Sequence, residues 1–387
     1  MKNNNQRTNQ NDNQEVTQKG KRQANQTELR KKSKWLKRLV VLGSILVVLT
    51  VAFLLLKAWL FPPYETPVGS GEYAVLEQLY TWEDESRIET FTDTGENRAL
   101  TVKIWYPETE GTYPLIIFSH GAFGVIESNY STCVELASHG YVVAAIGHPY
   151  HAMFVEDVHG KKTYVDMDFM QRIYADNGEH SEEAERAVYE FSLEWMAVRT
   201  GDMHFVLDTI LKKAEAGESA PFTLIDADKI GLFGHSMGGA TSVQIGRERN
   251  DIDAVIDLEG TMAGEYVGFD NGYELYNETP YPVPLLDVNS DGVRADIEQL
   301  MTEHSGWEYV NDYVGRNALD YREVIFKDAG HLNFTDLPLF SPVLAGLLGV
   351  GEVDAEECIN NVNEMVLIFF DYYLKGEGSL SDIKTEY

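Results

Sequence analysis

Along this chain the apolar side chains fall into three regimes. Up to residue 33 they are almost absent, in a stretch dominated by Asn, Gln, Lys and Thr. From 39 to 56 they form an uncharged run of 18 residues, which continues past Lys57 to Phe61. Beyond about residue 100, short apolar runs alternate with segments whose apolar positions recur every three or four residues. The short runs predict strands at 100–106, 115–119, 141–146, 230–234, 254–258, 283–288 and 323–326. The longer-period segments predict helices near 127–138, 183–213, 238–249, 295–303 and 355–374. Runs such as LIIF at 115–118 and VVAAI at 142–146 are apolar on both faces, as strands covered by helices on either side must be. The alternation predicts a mostly parallel, doubly wound α/β sheet. The stretch 148–182 fits neither period and reads as an insertion over the C-terminal edge of that sheet.

The first two regimes describe something other than this domain. A polar stretch cannot bury enough surface to offset its ordering entropy, so 1–38 is expected as a disordered tail. The run 39–61 suffices for one transmembrane helix, with Lys57 able to reach the interface. The long polar lead and the lack of a small-x-small cleavage site favour an uncleaved signal anchor. Charge supplies the orientation. Residues 1–38 hold eleven Lys/Arg against three acids, which puts them in the cytoplasm and everything after the helix outside the cell membrane. Pro62, Pro63, Pro67, Gly69 and Gly71 mark a stalk over 62–75, leaving 76–387 as the globular domain. Outside the tail, 20 basic residues face 59 acidic ones. That surface repels phosphate polymers, so nucleic acid is not an expected partner.

The chemistry concentrates at one junction. An apolar strand at 230–234 runs into Gly234-His235-Ser236-Met237-Gly238 and then into a helix. In G-x-S-x-G the serine occupies a strained strand-to-helix turn, and small flanking residues let the backbone close. A nucleophilic serine on this scaffold takes its acid and then its histidine from later in the chain. His331 lies 95 residues on, just past the last predicted strand. Two acids compete to orient it: Asp257, closing the strand at 254–258, and Asp291, after the strand at 283–288. The amides of Met237 and Ala122, the latter following His120-Gly121, are the expected oxyanion donors. With these in place the fold is expected to be an α/β-hydrolase needing no cofactor or metal.

Further runs extend along the chain: IWYP at 104–107, YPLIIFSHG at 113–121, LASHGYVVAA at 136–145, Arg199, Asp202 and FVLD at 205–208, GHSMGGAT at 234–241 and HLNFTD at 331–336. Together they resemble the platelet-activating-factor acetylhydrolase family of serine esterases. The resemblance covers roughly 84–340. It implies a catalytic set of Ser236, His331 and Asp257, with the Ala122 and Met237 amides as oxyanion hole. It further implies cleavage of short-acyl or truncated phospholipid esters. A peptidase or lipase-type hydrolase on the same scaffold, and a non-catalytic binding ectodomain, remain alternatives.

Other signals weigh less. DVNSDGVRADIE at 287–298 matches the twelve-residue calcium-loop pattern, but a strand enters it and Arg294 holds a normally apolar position. His148 and His151 read as part of a loop lining the pocket. Arg199 and Asp202, at helical spacing, read as a structural ion pair. Cys133 and Cys358 form no C-x-x-C, which excludes a thiolate metal site. Their predicted helices share one face of the sheet, so a disulfide competes with two small buried thiols.

Overall fold

The structure is a computed structural model describing residues 5–175, 181–304 and 306–387, with side chains from 17 onward. It divides into two units, Met1–Pro63 and Tyr64–Tyr387.

The first unit is one helix, α1 (Asn5–Leu60). It extends through the polar stretch expected as a disordered tail. Gln, Lys, Arg and Glu cost little in a helix, and no proline interrupts before Pro62. The 17–60 portion is long and apolar enough to cross a membrane, by length and composition. Its large apolar side chains, from Leu39 to Trp59, are exposed.

In the second unit the chain forms β1 (Val75–Ile88), β2 (Asn97–Pro107), β3 (Tyr113–Ser119), α2 (Tyr130–Ser138) and β4 (Val142–Gly147). The expected insertion becomes a hairpin, β5 (Phe154–Glu156) and β6 (Lys162–Tyr164), followed by a short helix α3 (Met167–Ile173). Its last part, 176–180, lies outside the described residues. A 34-residue helix α4 (Glu182–Glu215) follows, then β7 (Ile225–His235), α5 (Met237–Glu248) and β8 (Ala254–Leu258). A second hairpin, β9 (Tyr266–Asp270) and β10 (Tyr273–Tyr276), precedes β11 (Leu285–Ser290), α6 (Asp291–Glu303), α7 (Val310–Asn317) and β12 (Tyr321–Phe326). The chain closes with α8 (Leu337–Phe340), α9 (Pro342–Leu348) and α10 (Ala355–Phe370).

Eight strands make one sheet in the order β1-β2-β4-β3-β7-β8-β11-β12. The pairings from β4 to β12 are parallel, while β1 and β2 are antiparallel. Strand periodicity splits the core in two. Ile116, Phe118, Val143 and Ala145 pack with Cys133 of α2 and Phe369 and Phe370 of α10. Leu115, Ile117, Val142 and Ala144 pack on the other face with Met203, Val206, Leu207 and Ile210 of α4. Each Val, Leu, Ile, Phe or Met among them contributes about 1.5–3 kcal/mol by leaving water. Cys133 and Cys358 are both buried free thiols in the first cluster, so the disulfide is not formed. The calcium-pattern segment is a direct strand-to-helix junction, with Ser290 capping α6 through its Val293 N–H. Asp287 points into the core there, accepting from the Tyr321 hydroxyl.

Candidate active site

Ser236 stands where β7 ends and α5 begins, with φ 55° and ψ −125°. A non-glycine residue rarely adopts such a left-handed backbone, and the surroundings hold it there. Its N–H donates to the Leu258 carbonyl at 2.8 Å. The chain crosses itself so tightly that a Cβ on Gly238 would lie 1.9 Å from the Ser119 carbonyl oxygen. These contacts lift the hydroxyl above the C-terminal edge of the sheet.

His331 follows β12 as the sequence predicts. It lines the same cavity as Ser236, a cleft of about 770 Å³. Its Nδ1 lies 2.7 Å from Oε2 of Glu259, whose side chain is 2% exposed. The other Glu259 oxygen accepts the Ser290 N–H at 2.7 Å, so both carboxylate oxygens are engaged. Glu259 reaches the histidine because β8 ends at Leu258 and the next residue turns to φ 57°. That turn swings the carboxylate off the strand and over the sheet edge.

Asp257, expected to orient His331, makes no hydrogen bond with it among the described residues. Its Oδ1 accepts the Gly260 N–H at 2.8 Å, and Oδ2 is buried with no partner among the described residues. The carboxyl packs under α5, where a Cβ on Gly239 would come within 1.8 Å of Oδ1. One strand over, Asp287 sits in register beside it. Burial, reinforced by Asp287, pushes the Asp257 carboxyl well above the usual range, and burial carries Asp287 up as well. Asp257 is thus a buried carboxylic acid beneath the elbow. Asp291, the other candidate, is the first residue of α6 and makes no bond to His331 among the described residues either.

His235 buttresses the histidine from below. Its Nε2–H donates to the His331 carbonyl at 2.9 Å, the two rings lie 4.5 Å apart, and burial lowers its basicity so that it stays neutral. On its other side is the loop after β3. A Cβ on Gly121 would fall 2.8 Å from His235 Nδ1 and 3.2 Å from Ser236 Cβ. The Ala122 amide therefore adjoins the nucleophile, and Met237 opens α5 with its N–H at the helix start. Neither amide has a partner among the described residues, the condition an oxyanion donor needs.

Three sequence readings change. Arg199 forms no ion pair with Asp202 among the described residues. Asp202 instead takes Arg98 at 2.6 Å, Arg87 at 2.9 Å and His148 Nδ1 at 3.0 Å. His148 is fully buried in that network, its Nε2 accepting from the Ser119 hydroxyl at 2.9 Å. His151 stacks on Phe169. Neither histidine lines the Ser236 cavity. The cavity wall comes from α4, α6 and the β9–β10 turn, through Trp195, Ile297, Leu300 and Tyr273.

Residues 90–382 match the family model described as platelet-activating factor acetylhydrolase, isoform II. Platelet-activating factor acetylhydrolase of Cavia porcellus is 27% identical over 289 residues, covering 69% of this chain and 59% of the relative. That of Bos taurus is 28% identical over 290 residues, covering 68% and 57%. The matched region thus spans less than two thirds of those relatives' own length. Among solved structures, a ferulic acid esterase from Streptomyces cinnamoneus superposes with a TM-score of 0.59 at 22% identity, over 81% of this chain and 94% of that one. That likeness establishes the α/β-hydrolase fold. With a family match over three quarters of its length, this chain belongs to the platelet-activating factor acetylhydrolase, isoform II, family.

Proposed function

We propose that this protein is a carboxylic ester hydrolase that works through an acyl-enzyme on Ser236. The observation that carries the reading is a serine on a left-handed elbow sharing one cavity with a histidine whose far nitrogen is held by a buried carboxylate. His331 Nε2 takes the Ser236 proton as Oγ attacks the ester carbonyl. The negative charge on the tetrahedral oxygen is met by the Ala122 and Met237 amides. His331 returns the proton to the leaving alcohol, and water repeats the sequence to release the acid. Glu259 keeps the proton on Nδ1 and stabilises the imidazolium without accepting that proton.

Family membership supports short-acyl esters, including truncated phospholipid esters, as the substrate class. The exposed apolar stretch of α1 and the eleven cations preceding it support a single-pass anchor. The tail is then cytoplasmic and the hydrolase domain lies outside the cell membrane. An acyl-length series of chromogenic esters, run beside Ser236→Ala, tests the reading. Turnover that falls with chain length and vanishes in the variant supports it, and fastest turnover on long-chain triglycerides contradicts it.

A further inference from the structure

Arg199 has no counterpart in the reaction just described, yet it is fully buried and charged. It sits mid-way along α4. Its Nη1 donates to the His120 carbonyl at 2.5 Å and its Nη2 to the Gly121 carbonyl at 3.3 Å, while Nε is buried with no partner among the described residues. These two carbonyls belong to the loop that follows β3. The Gly121 carbonyl also accepts from His120 Nδ1 at 2.7 Å, and the His148 N–H donates to the remaining nitrogen of that ring.

In a trans peptide the C=O and N–H of one unit point in opposite directions. The His120 carbonyl shares its unit with the Gly121 N–H, and the Gly121 carbonyl shares its unit with the Ala122 N–H. A guanidinium that draws both carbonyls toward α4 therefore turns both amides away from α4. The loop they belong to lies against the nucleophile, a Cβ on Gly121 falling 3.2 Å from Ser236 Cβ. Isolating a guanidinium in the interior is costly: burial pulls Arg199 down to about 9, opposed by the nearby Asp202 carboxylate. Packing alone gives no reason to hold a cation there, since an apolar side chain of equal volume fills the site more cheaply.

We propose that Arg199 is the positioning residue of the oxyanion hole, which aims the Ala122 amide at the ester carbonyl by anchoring the peptide behind it. Its planar fork suits two adjacent carbonyls, whereas a lysine ammonium offers a point charge on a flexible stem. The proposal rests on the ester-hydrolase reading, and wild-type turnover with its loss in Ser236→Ala checks that reading separately.

The experiment compares wild type, Arg199→Met and Arg199→Lys on a soluble short-chain ester, alongside the affinity of a trifluoromethyl ketone that forms a tetrahedral adduct with serine. In Arg199→Met we expect kcat to fall about 100-fold, as when an oxyanion donor is lost. KM should stay within about threefold, and inhibitor affinity should fall by the same factor as kcat, since adduct and transition state use the same amide. Arg199→Lys should lie between. Wild-type-like kcat in either folded variant overturns the proposal. So does a fall in kcat with inhibitor affinity unchanged, which a merely structural role produces. If Arg199→Met does not fold, Arg199→Lys carries the same two measurements alone. If neither variant folds, Arg199 is a folding residue and the proposal is overturned.

Discussion

Oε2 of Glu259 and Nδ1 of His331 lie 2.7 Å apart, with the glutamate buried and the imidazole 40% exposed. This pairing, two residues beyond the acid the family resemblance implies, sets the first prediction. Glu259→Gln lowers kcat by roughly 10³–10⁴-fold, because an amide neither fixes the tautomer nor stabilises the imidazolium. Asp257→Asn, removing only a carboxyl that burial keeps protonated, stays within about tenfold of wild type. Steady-state ester turnover decides. A larger loss in Asp257→Asn returns the acid's role to Asp257.

Ser236→Ala and His331→Ala each lower turnover by roughly a million-fold, and the double variant is no worse, because the two act as one unit. A fluorophosphonate probe labels wild type and not Ser236→Ala. Retained labelling would place the nucleophile elsewhere.

Most of the sheet is legible in the sequence, because its central strands are apolar on both faces. The first strand escapes. In β1 the acids Glu77, Glu83, Asp84 and Glu85 protect a sheet edge, and they hide the strand from any search for apolar runs. The β9–β10 hairpin carries a readable signal in Asn271-Gly272, both with positive φ. Glu259 is hidden for a different reason. Strand periodicity would put Asp257 and Glu259 on one face, and only the left-handed backbone at Glu259 separates them. Residue type does not announce that turn. Helical spacing likewise suggests pairing Arg199 with Asp202, whereas the choice of partner is made by Arg98 on β2 and by the β3 loop.

Stability should fall as pH rises from about 4 toward neutrality, in part through Asp257 and Asp287. Unfolded carboxyls ionise near 3.9, while burial holds both of these protonated to higher pH, Asp287 to about 7. As pH climbs through that window the unfolded chain sheds protons that the folded one retains, so folding weakens. Asp257→Asn carries no such proton. Its melting temperature relative to wild type should be higher at pH 8 than at pH 5. An equal difference at both values contradicts the account.

Asp202 behaves in the opposite sense. Burial would raise its carboxyl, but Arg98 overrides that and, with His148, holds it far below the carboxylate range. The stability it contributes is fully present above about pH 4 and lost as acid is added. Asp202→Asn leaves Arg98 and Arg87 short of their shared counter-charge. It should cost about 3–5 kcal/mol in denaturant unfolding at neutral pH. A loss under about 1 kcal/mol would show that Glu89, which also pairs with Arg98, compensates.

The cavity wall carries Glu182, Glu185, Glu274 and Glu259, and no lysine or arginine among its described lining residues. Esters bearing a free carboxylate on the acyl chain should therefore react at least about tenfold more slowly than neutral esters of equal length. The gap should narrow as salt screens the field. Equal rates at low ionic strength would remove charge as a selection principle.

Trp195, which lines the cavity, and Arg199, which grips the β3 loop, lie one turn apart on α4. The surface a substrate leans on and the clamp behind the catalytic amide are thus consecutive rungs of one rod, about 6 Å apart along its axis. Their spacing is set by helix pitch rather than by any loop. The outer wall of the pocket, from α6 to the Asn271 turn, can then be exchanged for new substrates while the reaction centre keeps its calibration.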